Sequence, residues 1–368
     1  MPKKIVVYAI CKNESKFVDR WMASMKEADD IIVLDTGSTD DTVEKLKNQG
    51  AVVYEEKFDP WRFDTARNKS LALVPDDADI CVCTDLDEVF QPGWREALET
   101  GWQNGQHQAE YFYTWEYNAD GSAKKQYIRE KIHSRHDFKW INVVHERLEY
   151  IGEKPLCHRF IENLVLDHHP DLTKPRTQYL PLLELAAKEN PQDDRGIFWL
   201  GREYFYHGRY DEAIKTLEFH LSLPTANWAE ERAASMRFIA QSYAKKNNNK
   251  AAKQWLYRAV AECPTIREAY FELVELNYKQ KNFPAVYAFG LEALKIKEQS
   301  GSYLMETKCW GYQLEDYLSI AAYQLGLYEE ARKYAERAYK KNSRDSRLKK
   351  NLELIDQKMQ EVLTQRIH

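Results

Sequence analysis

The stretch Ile31-Ile32-Val33-Leu34-Asp35-Thr36-Gly37-Ser38-Thr39-Asp40-Asp41-Thr42-Val43-Glu44-Lys45-Leu46-Lys47-Asn48-Gln49-Gly50-Ala51-Val52-Val53-Tyr54 decides the fold class. Residues 31–34 are a short apolar, β-branched run, which reads as a buried strand. Asp35-Thr36-Gly37 follows as a turn. Ser38 to Asp41 has the spacing of a capping box and predicts a helix start. Val43 and Leu46 lie inside that helix, and Gly50 ends it. Residues 51–54 then make a second strand, so the stretch is a strand-helix-strand unit.

The same alternation extends to both sides. Residues 5–10 read as a first strand. Phe17, Val18, Trp21, Met22 and Met25 share one face of a helix. Residues 64–73 predict another helix, and residues 80–83 a fourth strand that runs into Thr84-Asp85-Leu86-Asp87-Glu88. This order predicts a mostly parallel sheet covered on both faces. Such sheets bind ligands beyond the carboxyl ends of their strands. Three polar clusters fall there: residues 11–14 (CKNE), 35–40 (DTGSTD) and 84–88 (TDLDE).

From about residue 173 the strand signals stop and long 3.6-residue periods take over. Gly208 to Ala213, Asn247 to Ala252, Lys281 to Val286 and Gly326 to Ala331 resemble one another, and each sits between two amphipathic segments. Their spacing is near that of tetratricopeptide helix pairs. Tyr204, Ala213, Tyr243, Ala251, Ala259, Tyr278, Tyr323, Ala331 and Ala338 fit the large and small positions, and Pro191, Pro264 and Pro284 punctuate the array. The reading is therefore an α/β domain over 1–172 followed by an all-α repeat domain over 173–368. The 368 residues suit two such domains. With 23 Tyr, 14 Phe and 10 Trp, aromatic content is high. Packing inside the repeats claims most of it, and stacking on sugar rings the rest.

Charge excludes some functions. Against 58 acidic residues stand 53 Lys plus Arg, a net charge of −5, so no broad field favours nucleic acid. The basic stretch 340–350 reads as a solvated helix face. No apolar run approaches the length of a membrane span. The first residues read as a strand rather than a signal peptide, which implies a cytoplasmic protein. Cys81 and Cys83 lack a second pair at zinc spacing and read as buried strand residues.

Asp85 and Asp87 are the sharpest chemical signal. Two carboxylates just past a buried strand can hold Mg²⁺ or Mn²⁺, and the ion can bridge to phosphates. A solvated loop is the alternative. Asp35 to Asp40 offers a carboxylate and helix-start amides near a nucleotide, or only a capped turn. Arg67 in Trp61 to Asn68 is a cation suited to a pyrophosphate, or a surface ion pair.

Taken together, CKNE, DTGSTDDT, WRFDTARNKS and TDLDE, in this order, resemble the family 2 glycosyltransferases of the GT-A fold, close to the branch with C-terminal tetratricopeptide repeats. The resemblance implies an inverting transfer from a UDP-sugar. It implies that Asn13 and Glu14 line the nucleotide pocket, that Asp35 contacts the base, and that Arg67 and Asn68 lie near nucleotide and phosphates. Asp85 and Asp87 become the metal pair. Val144-His145-Glu146 matches a "VHE" element, and His168-His169 a histidine-bearing strand end that completes the metal site, with His169 ahead of His168. Glu146 is the candidate base, with His145 or Asp137 behind it. The family's usual acidic pair after the metal motif is missing, which leaves the base open.

Repeats fused to this domain resemble bacterial peptide S-glycosyltransferases that modify a cysteine of a bacteriocin precursor; the helix at Trp199 (WLGREYF) is part of that likeness. This implies a peptide or protein acceptor bound by the repeats, and a homodimer contact there. A polysaccharide or lipopolysaccharide sugar transferase is the alternative acceptor class, and a non-catalytic repeat scaffold the alternative to an enzyme. The intact Asp35, Arg67, Asp85 and Asp87 favour the enzyme.

Overall fold

The computed structural model describes residues 3–118, 120–171 and 179–367. The chain divides into two compact units, Met1–Ala186 and Ala187–His368. The expected domain boundary at 172/173 lies outside the described residues.

The first unit runs β1 (Ile5–Cys11), α1 (Ser15–Met25), β2 (Asp30–Asp35), α2 (Thr42–Asn48), β3 (Val52–Glu55), α3 (Phe63–Ala72), β4 (Ile80–Cys83), β5 (Glu88–Phe90) and α4 (Trp94–Gly101). Then come β6 (Gln108–Tyr117), β7 (Ala123–Ser134), β8 (Phe138–Ile141), β9 (Arg147–Tyr150), β10 (His158–His168) and α5 (Tyr179–Glu189). Eight strands form one sheet in the order β3-β2-β1-β4-β7-β6-β10-β5, and β8 and β9 form a separate hairpin. The first four strands are parallel, as the alternation with helices predicts.

Beyond β4 the sheet is mixed, although β10 runs parallel to β6 and four of the seven pairings in the sheet are parallel. β7 runs antiparallel to β4, β6 antiparallel to β7, and β5 antiparallel to β10. The reason is connectivity: β6 and β7 are joined by a short turn, and a short turn permits only antiparallel pairing.

β1 is buried along its whole length, because helices cover both of its faces. Ile5, Val7, Ala9 and Cys11 pack into one layer with Trp21, Met25 and Trp94. Val6 and Tyr8 point the other way, to Leu71, Val74 and Trp140. Cys81 and Cys83 are buried strand residues and free thiols, as read. Ser38 does not cap α2. Its hydroxyl bonds Asp35 and accepts from the Asn13 amide, and α2 opens only at Thr42, whose amide bonds the Asp40 carboxylate. The residues of the expected capping box thus serve the turn instead.

The second unit is helical: α6 (Asp194–Tyr206), α7 (Tyr210–Ser222), α8 (Ala229–Lys245), α9 (Asn249–Glu262), α10 (Arg267–Lys279), α11 (Phe283–Lys295), α12 (Gln313–Gln324), α13 (Tyr328–Lys341) and the long closing α14 (Ser346–Ile367). The four similar sequence segments are the turns of four helix hairpins. Gly208, Asn247, Lys281 and Gly326 all have positive φ. In each turn the next amide bonds the carbonyl five residues back, from Arg209 to Tyr204, Asn248 to Tyr243, Asn282 to Asn277 and Leu327 to Ala322. That is the Schellman closure of a helix end. Ala213, Ala259, Ala331 and Ala338 are buried as read, but Ala252 rather than Ala251 takes the small position of the second hairpin. A Cβ on Gly201 would stand 2.5 Å from Leu217, so α6 and α7 require glycine there. This unit is a tetratricopeptide-like array.

Residues 296–312, between α11 and α12, lengthen the third repeat and lie across earlier helices. Tyr303 stacks on Trp199 of α6 at 5.4 Å. Glu306 pairs with Arg237 of α8, and its amide bonds Glu268 of α10. Trp199 and Trp228 are therefore covered by the chain's own Tyr303.

Candidate active site

The three polar clusters meet past the carboxyl ends of β1, β2 and β4. Asn13 has a positive φ, donates its amide to Ser38 Oγ at 2.8 Å and accepts the Thr39 amide on Oδ1 at 2.7 Å. The Glu14 amide donates to Thr42 Oγ1 at 2.9 Å. The first two loops are thus stitched together. Asp35 is 2% exposed. Its Oδ1 accepts the Gly37 and Ser38 amides, each at 2.9 Å, and its Oδ2 accepts the Ser38 hydroxyl and the Cys11 thiol. Its carboxylate is held by its own turn.

α3 brings Arg67 under the third cluster. Arg67 is 3% exposed and donates from Nη2 to Asp85 Oδ1 at 2.6 Å and from Nε to Glu146 Oε1 at 2.7 Å. Its guanidinium also lies over the Trp140 ring, 5.2 Å from the centroid. Lys131 of β7 stands 3.2 Å from Asp85 Oδ2 and 3.5 Å from Glu88 Oε1. Glu88 in turn accepts the Asp85 amide and the Tyr113 hydroxyl, each at 2.9 Å.

This is a closed charge network. Burial opposes ionisation of Asp85, but the Arg67 and Lys131 charges more than offset it and hold its carboxyl well below the usual carboxylate range. Burial pushes Glu88 up, and the neighbouring Asp85 charge adds to the rise. Burial would push Lys131 down, yet Asp85 and Glu88 hold it well above the usual ammonium range.

Asp87 is turned to the other side. Its Oδ2 lies 3.3 Å from His168 Nε2, and its carbonyl accepts the His169 amide at 2.8 Å. The His168 ring stacks on Trp115 at 4.3 Å, and its Nδ1 has no hydrogen-bond partner among the described residues. His169 stacks on Tyr117 instead, 6.0 Å away, and burial lowers its pKa. So the imidazole of His168, rather than that of His169, faces the carboxylate. Beside them lies an open cavity of about 500 Å³ lined by Phe17, Arg20, Trp115, Glu116, Tyr117, both histidines and Pro170.

The structure thus gathers Arg67, Asp85, Glu146, Asp87 and His168, with Asn13, Glu14 and Asp35 in the adjoining loops. Asn68 is a brace: it donates to the Trp140 carbonyl at 2.7 Å and accepts the Trp140 amide at 2.9 Å, pinning β8 to α3. His145 stacks on Tyr179 at 5.8 Å. Asp137 is not brought to this place. It follows β7, whose end pairs with Ile80 at the start of β4, the opposite end of the sheet from Asp85. Lys131 and Glu88 were missed by the sequence reading. Tyr127, Arg129, Lys131 and His133 recur at every second position, which is a strand with cations on one face.

The residues fit a divalent ion in part. Asp87 and His168 offer a carboxylate and an imidazole, a sound pair for Mn²⁺ or Mg²⁺ with phosphate and water completing the shell. Both Asp85 oxygens are already engaged by cations. Among the described residues Asp85, Asp87 and the two histidines do not converge as a set of three ligands; Asp194, His220 and Glu231 of the helical unit do.

Residues 6–161 match the model of glycosyl transferase family 2. Solved structures similar to part of the chain include the crystal structure of MamA, with 19% identity, 49% of this chain and 99% of that chain covered, and a TM-score of 0.38. The APC/C hetero-tetramer Cut9-Hcn1 gives 16% identity, 50% and 33% coverage, and a TM-score of 0.38. At these scores the structural likeness carries no argument. Among the described residues no helix is long and apolar enough to cross a membrane. Family 2 enzymes generally take nucleotide-sugar donors with a divalent metal. The sheet order and the site at its strand ends lie within the stretch that matches: residues 6–161 of the N-terminal unit are similar to glycosyl transferase family 2.

Proposed function

We propose that the chain is an inverting, metal-dependent glycosyltransferase that moves a sugar from a UDP-sugar to a peptide or protein side chain, cysteine thiols included, in the cytoplasm. The observation that supports it most is the pair of opposed arrangements in one loop: Asp85 neutralised by Arg67 and Lys131, and Asp87 turned to His168. The catalytic part is residues 1–172 in this reading, and the repeats over 173–368 take part in acceptor recognition and in a homodimer contact.

Asp87 and His168 would hold Mn²⁺ or Mg²⁺. The ion supplies charge neutralisation at the departing diphosphate. The nucleotide lies along Asn13, Glu14 and the turn built on Asp35. Arg67 is buried beside the phosphate region, and a pyrophosphate competes with Glu146 for its guanidinium. Glu146 is then freed to take the acceptor's proton as the nucleophile attacks the anomeric carbon and the bond to UDP breaks. Trp115 and Tyr117 offer ring faces to the sugar or acceptor.

Hydrolysis of UDP-sugars with Mn²⁺, without acceptor, tests the reading. Turnover abolished by Asp87→Ala is expected. No turnover with any UDP-sugar and no UDP binding would favour the scaffold. Transfer to glycan acceptors but not to a peptide library would favour the polysaccharide alternative.

A further inference from the structure

Three helix ends converge in the first repeats. Asp194 opens α6, His220 lies in the last turn of α7, and Glu231 lies in the first turn of α8. Each charge type suits its helix end electrostatically, which explains the residues but not how they meet. The His220 ring is 0% exposed. Its Nδ1 is 2.9 Å from Ser235 Oγ. Its Nε2 makes no hydrogen bond, although Glu231 Oε1 is 3.4 Å away. Ligand atoms of Asp194, His220 and Glu231 all lie within 4.8 Å of one another. A buried imidazole nitrogen without a partner is costly unless something binds it.

We propose that Asp194, His220 and Glu231 bind one divalent transition-metal ion, with zinc as the favoured species. One imidazole nitrogen and two carboxylate oxygens suit zinc, which takes a water as its fourth ligand. They suit Mg²⁺ poorly, since it prefers six oxygens in an octahedron. Ser235 fixes the ring: with Nδ1–H donating to its hydroxyl, the Nε2 lone pair points at the two acids. Glu231 is steadied further by the Tyr303 hydroxyl, which donates to its second oxygen at 2.9 Å. The ion ties α6, α7 and α8 together. Its role is to stiffen the first two hairpins, and it shares no ligand with the Asp87 and His168 pair.

The test uses the full chain carrying Asp87→Ala and His168→Ala, stripped with a chelator and titrated with Zn²⁺ in a calorimeter. One equivalent is expected to bind, and a hundredfold excess over Kd should raise Tm by about 5 °C. Adding His220→Ala should remove both effects. Should that variant fail to fold, Asp194→Asn at a half-buried position serves instead and should weaken zinc binding about tenfold or more. No zinc bound by the double variant, or unchanged affinity after Asp194→Asn, overturns the proposal.

Discussion

Arg67 Nη2 stands 2.6 Å from Asp85 Oδ1, with the arginine buried and the aspartate at the site's edge. An arginine sealed in this way is fixed in charge and position before any donor arrives. Arg67→Ala leaves Glu146 without its counter-charge and Asp85 with Lys131 alone. Breaking a buried pair costs about 3–5 kcal/mol, at the low end here because Asp85 is partly exposed. The expected outcome is a lower Tm and kcat/KM down by about a hundredfold or more, measured by thermal unfolding and by UDP-sugar turnover. Arg67→Lys should recover stability better than activity, since one ammonium cannot serve both carboxylates with the same geometry.

Removing either face of the metal pair should act differently. Asp87→Ala and His168→Ala should each weaken Mn²⁺ binding and abolish transfer with little change in Tm, because neither side chain anchors the core. Excess EDTA should do the same to the unaltered protein. Full turnover in EDTA would remove the metal from the reading. Asp85→Ala should instead leave Lys131 with Glu88 alone and Arg67 with Glu146 alone, so its activity loss comes with a shift in Tm.

Asp35 carries a sharper distinction. Its oxygens hold the Gly37 and Ser38 amides and the Ser38 hydroxyl. Each lost hydrogen bond of this kind costs roughly 0.5–1.5 kcal/mol. Asp35→Ala is therefore expected to lower Tm and UDP affinity together, as the turn that carries Ser38 and Asn13 loosens. A tenfold loss of UDP affinity at unchanged Tm would mean that the carboxylate contacts the base directly.

These predictions mark where the sequence was legible. The period-two and period-3.6 patterns located the first four strands, their helices and the four repeat turns, because burial on a sheet or helix face imprints its period on the chain. Arg67, Asp85 and Asp87 could be singled out by residue type and motif, while of the two histidines the sequence put His169 ahead of His168. Their partners were not legible. That Asp85 faces Lys131, or that His168 rather than His169 faces Asp87, depends on which strands pair beyond β4. The β4–β7 register sets the first and the β5–β10 register the second, and nothing local encodes either. Asp137, the reserve candidate for the base, follows a strand that runs to the other end of the sheet, which again depends on pairing. The covering of Trp199 by Tyr303 joins residues about a hundred positions apart and leaves no local trace.

His133 gives a pH prediction. It is fully buried between the Tyr8 hydroxyl at 2.8 Å and the Ser134 carbonyl at 2.7 Å. Trp140 Nε1 donates to Tyr8, so Tyr8 donates to Nε2 of a neutral ring whose Nδ1–H goes to Ser134. Burial pushes its pKa down from 6.5 to about 4. The unfolded chain takes up this proton near pH 6.5 and the folded chain only near 4. Stability is therefore full above about 6.5 and falls as pH drops toward 4, by about 3 kcal/mol for this group. His133→Gln should start less stable at pH 7.5 but lose less over that interval, as chemical unfolding at several pH values would show. Equal slopes in both proteins would remove His133 as the cause.

The groove of the repeats decides whether a peptide can bind there. Residues 296–312 use Tyr303 to cover Trp199 and Trp228, and Glu306 to engage Arg237 and the α10 acid Glu268. Lys308 adds pairs to Glu275 and Glu306. A partner reaching these tryptophans must displace the stacked tyrosine, and an aromatic pair contributes about 0.5–1.5 kcal/mol beyond its buried area. Tyr303→Ala removes the stack and the hydroxyl on Glu231 while leaving Glu306 in place. It is expected to expose Trp199, seen as a red shift in tryptophan emission, and to speed proteolysis within 296–312 severalfold. The acceptor peptide, once found by the library screen, should then bind about tenfold more tightly if it uses this groove, because it no longer competes with Tyr303. Unchanged affinity together with the red shift would place the acceptor elsewhere and leave the segment as a permanent part of the array's core.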